Sequence, residues 1–579
     1  MLILLINFNR RTHKNMNIDD AFNQLGKWGR YQTLIYIVVL TASLPNAFTT
    51  LQFAVNHFEP NHRCRLPDKI ENILKNNSNA REKILDHFIP EEVGNYGLIR
   101  RSKCHMYNRN YSTQLSLINL NESYDIIPCT NGYIFDMLPN HDTAVTEFEM
   151  ICNNDWKSPL AITLFQCGMA SGSVAGILAD RYGRRPVYLL ASLTQIGSMA
   201  LTAVAWNYYL YLTAVYISGV SGLINYVVAF VLATEVISVK SRNFMAVGSM
   251  YSYSIGYVLV PLIVYYTQHW RLYVWASMAL GAVLYVPGYW LFPESPRWLL
   301  RVGRTNDAIM GLKKMAKMNK KNIDFAELKK TRVADSHVRI ASPSGPLETL
   351  RIIFKSTLTS RFLAAFFVWF VTGLVYYAIS YHSKSFSDDR YLNILYCGLA
   401  EIPAYVISFY AVNRLGRPRC TTVFLLTCGI FSIILPYLPE ELSLIRTVIS
   451  VIGKGAVSGV FYIIYLNTSE ISPTLQRSAS MSIASFCCRV GAFIAPFVMF
   501  MGKIQYSIPN WIMGGITILS GIICIICIPE TMGVKMPDTV QQAESNKRYY
   551  GLNICQKFQS NTINSSNKDN HAERELLTL

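Results

Sequence analysis

The chain alternates long apolar runs with short polar ones. The first run extends from Tyr31 to about Val55, broken only by Pro45 and Asn46. Polar sequence then continues to residue 157, after which apolar runs return at roughly 158–178, 187–205, 210–233, 244–266 and 272–292. A basic, Lys-rich stretch at 297–361 has helical periodicity but no apolar run. Further runs follow at roughly 362–382, 391–412, 420–438, 444–467, 479–500 and 511–528. Each is close to the ~20 residues a helix needs to cross hydrocarbon. With no water to satisfy the backbone, a spanning segment of this length must be a helix. The pattern predicts an all-α membrane protein of about twelve transmembrane helices, with one large loop after the first. Its parts are an N-terminus at 1–30, a first span at 31–56, the large loop at 57–157, spans two to six at 158–296, a central loop at 297–361, spans seven to twelve at 362–528 and a tail at 529–579.

The two sets of spans repeat each other. Asp180-Arg-x-Gly-Arg is echoed by Asn413-Arg414-Leu-Gly416-Arg417, Glu235 with Arg242 by Glu470 with Arg477, and Pro293-Glu294-Ser295 by Pro529-Glu530-Thr531. The separations are nearly constant, so the chain reads as two duplicated six-helix bundles. Parallel repeats of this kind form a substrate site at their interface near the bilayer midplane and work by rocking.

Composition agrees: 51% of the 579 residues are hydrophobic and 15% charged, against about 25% charged in soluble domains. The net charge of +17 sits in short loops between apolar runs, which fits positive-inside topology and not nucleic-acid binding. Residues 57–157 hold Cys64, Cys104, Cys129 and Cys152 and the Asn-x-Ser sequons at Asn76, Asn110 and Asn121. An oxidised, glycosylated extracellular loop is expected, with three disulfide pairings open. That places both termini in the cytoplasm and the protein in the plasma membrane. The apolar run at the start is too short for a signal peptide and has its basic residues on the wrong side. It reads as a cytoplasmic leader, with Met16 an alternative start.

Charge inside or beside the apolar runs marks the chemistry. Asp180, Arg181, Arg184, Glu235, Arg242, Glu294, Arg414, Arg417, Glu470, Arg477 and Glu530 cluster at the expected cytoplasmic ends. Pairing among them would close the halves on that side and break on opening, and Asn413 leaves the second cluster one carboxylate short. Arg489, in the middle of the eleventh run, is costly in lipid unless it faces a cavity or a partner such as Glu401. Lys454 in the tenth run is a second intramembrane cation, placed to tune the cavity or to pair with Glu401. Tyr226, Trp369, Tyr376, Tyr377 and Tyr465 are aromatic faces able to hold a quaternary ammonium. Asn46, Gln195 and Asn225 are buried amides that suit helix–helix hydrogen bonding, or sodium coordination through oxygen. No nucleotide motif, catalytic triad or metal-ligand cluster is visible, so an enzyme is not expected.

The run Gly176-Ile-Leu-Ala-Asp180-Arg181-Tyr182-Gly183-Arg184-Arg185 matches the signature Gly-x-x-x-Asp-Arg-x-Gly-Arg-Arg, and the chain resembles the major facilitator superfamily. The cysteine-bearing loop, Asp142-Thr-Ala-Val-Thr-Glu147-Phe-Glu-Met-Ile-Cys152, Glu401-Ile-Pro-Ala404 and Gly453-Lys454-Gly455 narrow the likeness to organic-ion transporters. Leu44-Pro45-Asn46 and Asn225-Tyr226 through Glu235 point to organic cation and carnitine transporters, a resemblance covering nearly 19–542. It implies a carrier of small organic ions working as a monomeric unit, without a cofactor, with sodium coupling as an option. Carriers of simple cations place an aspartate where Arg489 stands, whereas anion and carnitine carriers place an arginine, so a substrate carboxylate is expected, with Asn225, Lys454 and the aromatic residues lining its site. Carnitine carriers usually read Tyr-x-Tyr-Thr-Ala-Glu where this chain has Tyr465-Leu-Asn467-Thr-Ser-Glu470. Zwitterions and quaternary amines are the expected substrates. An organic-anion exchanger, favoured by Arg489 and Lys454, and a transporter-derived solute sensor are the alternatives.

Overall fold

The computed structural model describes residues 18–26, 28–76, 81–93, 99–108, 125–136, 142–173, 175–237, 242–321, 323, 348, 351–352, 354, 358–381, 390–473, 476–532, 537 and 540–545. A short helix α1 (Ile18–Leu25) precedes the first span α2 (Arg30–Asn56). The loop that follows contains α3 (Asp68–Asn76), α4 (Arg81–Phe88) and α5 (Ala144–Glu147). The first half of the bundle continues with α6 (Lys157–Gly172), α7 (Ala175–Tyr182), α8 (Arg184–Val204), α9 (Tyr208–Val236), α10 (Arg242–Thr267) and α11 (Trp270–Leu291). Two short helices, α12 (Pro296–Arg301) and α13 (Thr305–Met318), open the central loop. The second half is α14 (Thr359–Tyr381), α15 (Arg390–Leu415), α16 (Arg417–Ile434), α17 (Ser443–Ile471), α18 (Arg477–Phe500) and α19 (Ile508–Cys527).

Among the described residues ten helices are long and apolar enough to cross a membrane. The other two places belong to the second and fifth spans. The second is not the continuous helix expected over 158–178: it divides after Gly172 into α6 and α7. The fifth, α10, is 26 residues long but carries Ser249, Tyr251, Ser252, Tyr253, Ser254 and Tyr257 on successive turns. A membrane helix with that polar content must turn it toward protein. Here Ser249, Ser252, Ser254 and Tyr257 are buried.

Side chains tie the halves together at the end carrying residues 57–156, the loop side. Gln166 Nε2 donates to Tyr381 OH at 2.8 Å and Thr163 Oγ1 to the Phe493 carbonyl at 3.0 Å. Lys503 Nζ lies 2.6 Å from Asp155 and 3.6 Å from Glu59. At the opposite, latch side, α1 packs Ala21, Phe22 and Leu25 into one cluster with Trp298, Leu312 and Met315 of α12 and α13. This platform extends the first half of the bundle.

The loop has a small core of its own: Cys64, Leu66, Ile70, Leu74, Ile84, Leu85, Phe88, Ile89 and Met106. Its antiparallel strand pairs are β1 (His62–Cys64) with β6 (Tyr133–Phe135), β2 (Glu91–Val93) with β3 (Ile99–Arg101), and β4 (His105–Tyr107) with β5 (Ile126–Pro128). So few apolar side chains need staples, and of the three open pairings the structure has Cys64–Cys129 and Cys104–Cys152. Asn76 ends α3, and its side chain, with Asn110 and Asn121, lies outside the described residues.

The acidic pair in Asp142-Thr-Ala-Val-Thr-Glu147 docks this loop on the bundle. Asp142 Oδ1 meets His269 Nδ1 at 2.9 Å, and Glu147 accepts from Trp270 Nε1 at 2.9 Å and Arg271 Nε at 3.1 Å. A second clasp is internal to the loop. Arg63 grips the Glu71 carboxylate with two bonds of 2.6 and 2.8 Å, and the Leu66 N–H adds one of 3.0 Å. Burial alone would raise the Glu71 pKa, but these bonds and the arginine charge hold it below the ordinary carboxylate value. A depressed carboxylate stabilises the fold above its unfolded pKa, and that contribution is lost as pH falls through the folded value. Acidification below about pH 4 is therefore expected to loosen residues 62–76, and Glu71→Gln to do so already at pH 7. Hydrogen exchange in peptides from this segment, corrected for intrinsic rates, measures both.

Candidate functional site

Each half folds the same latch. At Gly183 (φ +102°) and Gly416 (φ +88°) the chain turns through backbone space that L side chains avoid. The turn lays the next helix start against a carboxylate. Glu294 accepts the N–H groups of Arg184 and Arg185 at 2.8 and 3.2 Å, and Glu530 accepts that of Arg417 at 3.1 Å. Each acid thus caps a helix N-terminus, where the unpaired N–H groups and helix dipole favour negative charge. A Cβ on Gly183 would come within 2.6 Å of Glu294 Oε2, and one on Gly416 within 1.9 Å of Glu530 Oε2. Gly183→Ala and Gly416→Ala are each expected to cost more than about 1 kcal/mol, read as a lower thermal midpoint of the purified protein.

The capped helices then bring their arginines to the acids of the fourth and tenth spans. Arg184 grips Glu235 with Nε and Nη2 at 3.0 and 2.8 Å, and reaches Asp180 at 2.8 Å and the Ala179 carbonyl at 2.9 Å. Arg417 grips Glu470 with two bonds of 3.1 Å. Glu235 thus pairs with Arg184 and Glu470 with Arg417, while the Arg242 side chain lies outside the described residues. Arg477 instead donates to the Ser472 carbonyl at 3.4 Å. Arg181 lies over the Tyr182 ring, 5.4 Å from its centroid, and Arg414 is exposed without an ion pair among the described residues. Asn413 Nδ2 turns to the Phe409 carbonyl at 2.9 Å, so the second latch does lack the acid that Asp180 supplies. These latch pairs all lie within one half. None of these ion pairs joins the two halves on this side, whereas on the loop side Lys503 meets Asp155.

The three amides read as sodium ligands have mostly turned to one another. Gln195 Oε1 accepts from Asn225 Nδ2 and from Tyr285 OH, both at 2.6 Å. Asn225 Oδ1 accepts from Ser192 at 3.0 Å, and Gln195 Nε2 donates to Thr49 at 3.4 Å. Asn46 Oδ1 is buried beside them without a partner. This network joins α2, α8, α9 and α11, the helix–helix role of membrane amides.

In the second half two cations lie at mid-membrane with opposite status. Lys454 is 0% exposed and sits 3.3 Å from Glu401 Oε1, itself 0% exposed. Glu401 also accepts from Tyr376 OH at 2.6 Å and, across the interface between the halves, from Ser254 at 2.7 Å. Arg489 is 8% exposed. Its Nη1 donates to Tyr377 OH at 2.6 Å and its Nε has no partner. Among the described residues no carboxylate reaches it. Glu401 pairs with Lys454, one of the two roles read for that lysine, and not with Arg489.

Close contact of two helices holds Arg489 in place. A Cβ on Gly491 would sit 2.0 Å from the Phe370 carbonyl, and one on Gly373 2.2 Å from that of Cys488. Only hydrogen there lets α14 and α18 approach closely enough for Tyr377 to meet Arg489. Tyr226 and Tyr465 also lie within electrostatic reach of the guanidinium. Trp369 packs edge-on to Tyr465 with centroids 4.5 Å apart, its Nε1 fixed to Thr468 at 2.9 Å. Tyr376 does not belong to this group. Its ring holds Lys454. Sequence reasoning passed over Ser254, Tyr257 and Ser380; the serines and tyrosines recurring three and four residues apart on α10 were the available signal.

Residues 124–540 match the family model described as "Sugar (and other) transporter". The chain is 30% identical over 551 residues to mouse "Solute carrier family 22 member 4", covering 91% of this chain and 94% of that protein. The chain belongs to the major facilitator superfamily, in its organic cation and carnitine transporter family. It is also 28% identical over 533 residues to human "Organic cation/carnitine transporter 2", covering 90% of this chain and 93% of that protein. Its fold matches the E. coli xylose transporter XylE in a partially occluded inward open conformation, at a TM-score of 0.54 and 14% identity over 87% of this chain and 99% of that one. This major facilitator protein is thus a multi-pass membrane transporter and not an enzyme.

Proposed function

We propose that this transporter moves small organic ions bearing a carboxylate, zwitterionic quaternary amines of the carnitine type foremost, across the plasma membrane by alternating access. The observation that carries the reading is Arg489: a buried guanidinium among Tyr226, Tyr377 and Tyr465 that no carboxylate reaches among the described residues. A buried charge without a partner is expensive. A substrate carboxylate would supply the partner, and the fork geometry of arginine suits two oxygens. In this reading the faces of Tyr226, Trp369 and Tyr465 hold the attached quaternary ammonium, which has no proton to donate. A relative named for carnitine accords with this choice. The organic-anion reading drew on Lys454 as well, but Glu401 offsets that charge, leaving one open cation. Uptake of labelled carnitine, tetraethylammonium and a dicarboxylate into proteoliposomes separates the readings, and accumulation of any solute excludes a sensor that binds without moving.

In this reading both termini are cytoplasmic and the cysteine-bearing loop is outside. One or more of Asn76, Asn110 and Asn121 is then glycosylated. Glycosidase shifts the wild-type band and leaves the triple Asn→Gln variant unchanged; a shift that survives in the triple variant reverses the topology.

A further inference from the structure

We infer that Lys454 is a built-in occupant of an ammonium-binding cage: its side chain fills a mid-membrane site that would otherwise accept a small organic cation, and so sets the carrier against such cations. Lys454 Nζ stands over the Tyr376 ring, 3.3 Å from its centroid, with the Tyr257 ring at 5.5 Å. Glu401 Oε1 lies 3.3 Å away, and Nζ donates to Ser380 Oγ at 2.7 Å. Two aromatic rings, one carboxylate and one hydroxyl around an ammonium form the recognition set for a primary or alkyl-substituted amine.

The cage is rigid. Tyr376 is fixed through its hydroxyl at 2.6 Å from Glu401 Oε1, Ser254 holds the other carboxylate oxygen at 2.7 Å, and Ser458 adds a long contact of 3.5 Å. These groups come from α10, α14, α15 and α17, so the site survives loss of the lysine arm that fills it.

Removing Lys454 would leave Glu401 buried and unpaired, a costly state that a cation from solution relieves. Lys454→Ala deletes the equivalent of n-propylammonium. That ion should therefore bind the variant and not the wild type, whatever solute Arg489 reads. The test compares thermal midpoints of purified wild type, Lys454→Ala and Lys454→Ala/Glu401→Gln in nanodiscs, with and without millimolar n-propylammonium. Stabilisation of Lys454→Ala by several degrees, with no shift in the other two proteins, is expected. Equal shifts in all three, or none in Lys454→Ala, overturn the inference. If Lys454→Ala fails to accumulate, n-propylammonium in the growth medium must restore it, and failure to do so also overturns the inference. The readout is binding, so it stands or falls separately from the carboxylate reading.

Discussion

Arg184→Ala is expected to be the most damaging single change at the latch, lowering the thermal midpoint and the surface amount together. Arg184 is 3% exposed and joins Asp180, Glu235 and the Ala179 carbonyl around one guanidinium. Its loss strands Glu235, whose side chain is only 16% exposed. Breaking one partner of a buried pair costs about 3–5 kcal/mol. Asp180→Asn is the informative contrast. Its side chain is 56% exposed, and the second half already works with Asn413 in that place. The asparagine variant should fold and reach the surface and, on the alternating-access reading proposed above, change turnover more than affinity, because Asp180 lies at the latch and not among the residues around Arg489. Wild-type stability in Arg184→Ala, or full transport rates in Asp180→Asn, would contradict this account of the latch.

The helices and their repeat could be read directly, because lipid forces both length and apolarity on a span. The latch residues were also legible, but not their partners. Nothing in the spacing shows that Glu235 meets Arg184, which arrives from another helix after the turn at Gly183. Such a contact depends on positive φ and on Glu294 capping α8, and neither leaves a periodic trace. The division of the second span after Gly172 was hidden for a similar reason, since its residues are apolar on both sides of the break. Arg489 announced itself because charge in hydrocarbon is rare. So did the pairing of Lys454 with Glu401, for the same reason; the bond Ser254 adds to that carboxylate from the other half did not, since it joins helices distant in sequence. Nor did the docking role of Asp142 and Glu147, visible beforehand only as a resemblance.

Arg489→Gln is expected to reduce carnitine uptake by one to two orders of magnitude at matched surface expression. A charge-assisted hydrogen bond is worth roughly 1.5–3 kcal/mol, and every 1.4 kcal/mol is about tenfold in affinity. Glutamine keeps some of the volume and a donor toward Tyr377 while removing the charge, so the loss reports on charge more than on packing. Arg489→Lys should recover only part of the uptake, because the point charge lacks the planar fork. Arg489→Asp reverses the local field and should abolish carboxylate transport altogether. A purely structural arginine would behave differently: all three variants would lose stability, and uptake of every solute would fall in proportion.

The most direct measurement uses wild type alone, reconstituted in proteoliposomes with two labelled solutes that differ only in a carboxylate: carnitine and the same quaternary amine without it. The account predicts saturable accumulation of carnitine, inhibited by excess unlabelled carnitine and little affected by the carboxylate-free amine. Equal transport of the two solutes, or transport of the carboxylate-free amine alone, would contradict the assignment of Arg489 as the reader of the substrate's carboxylate.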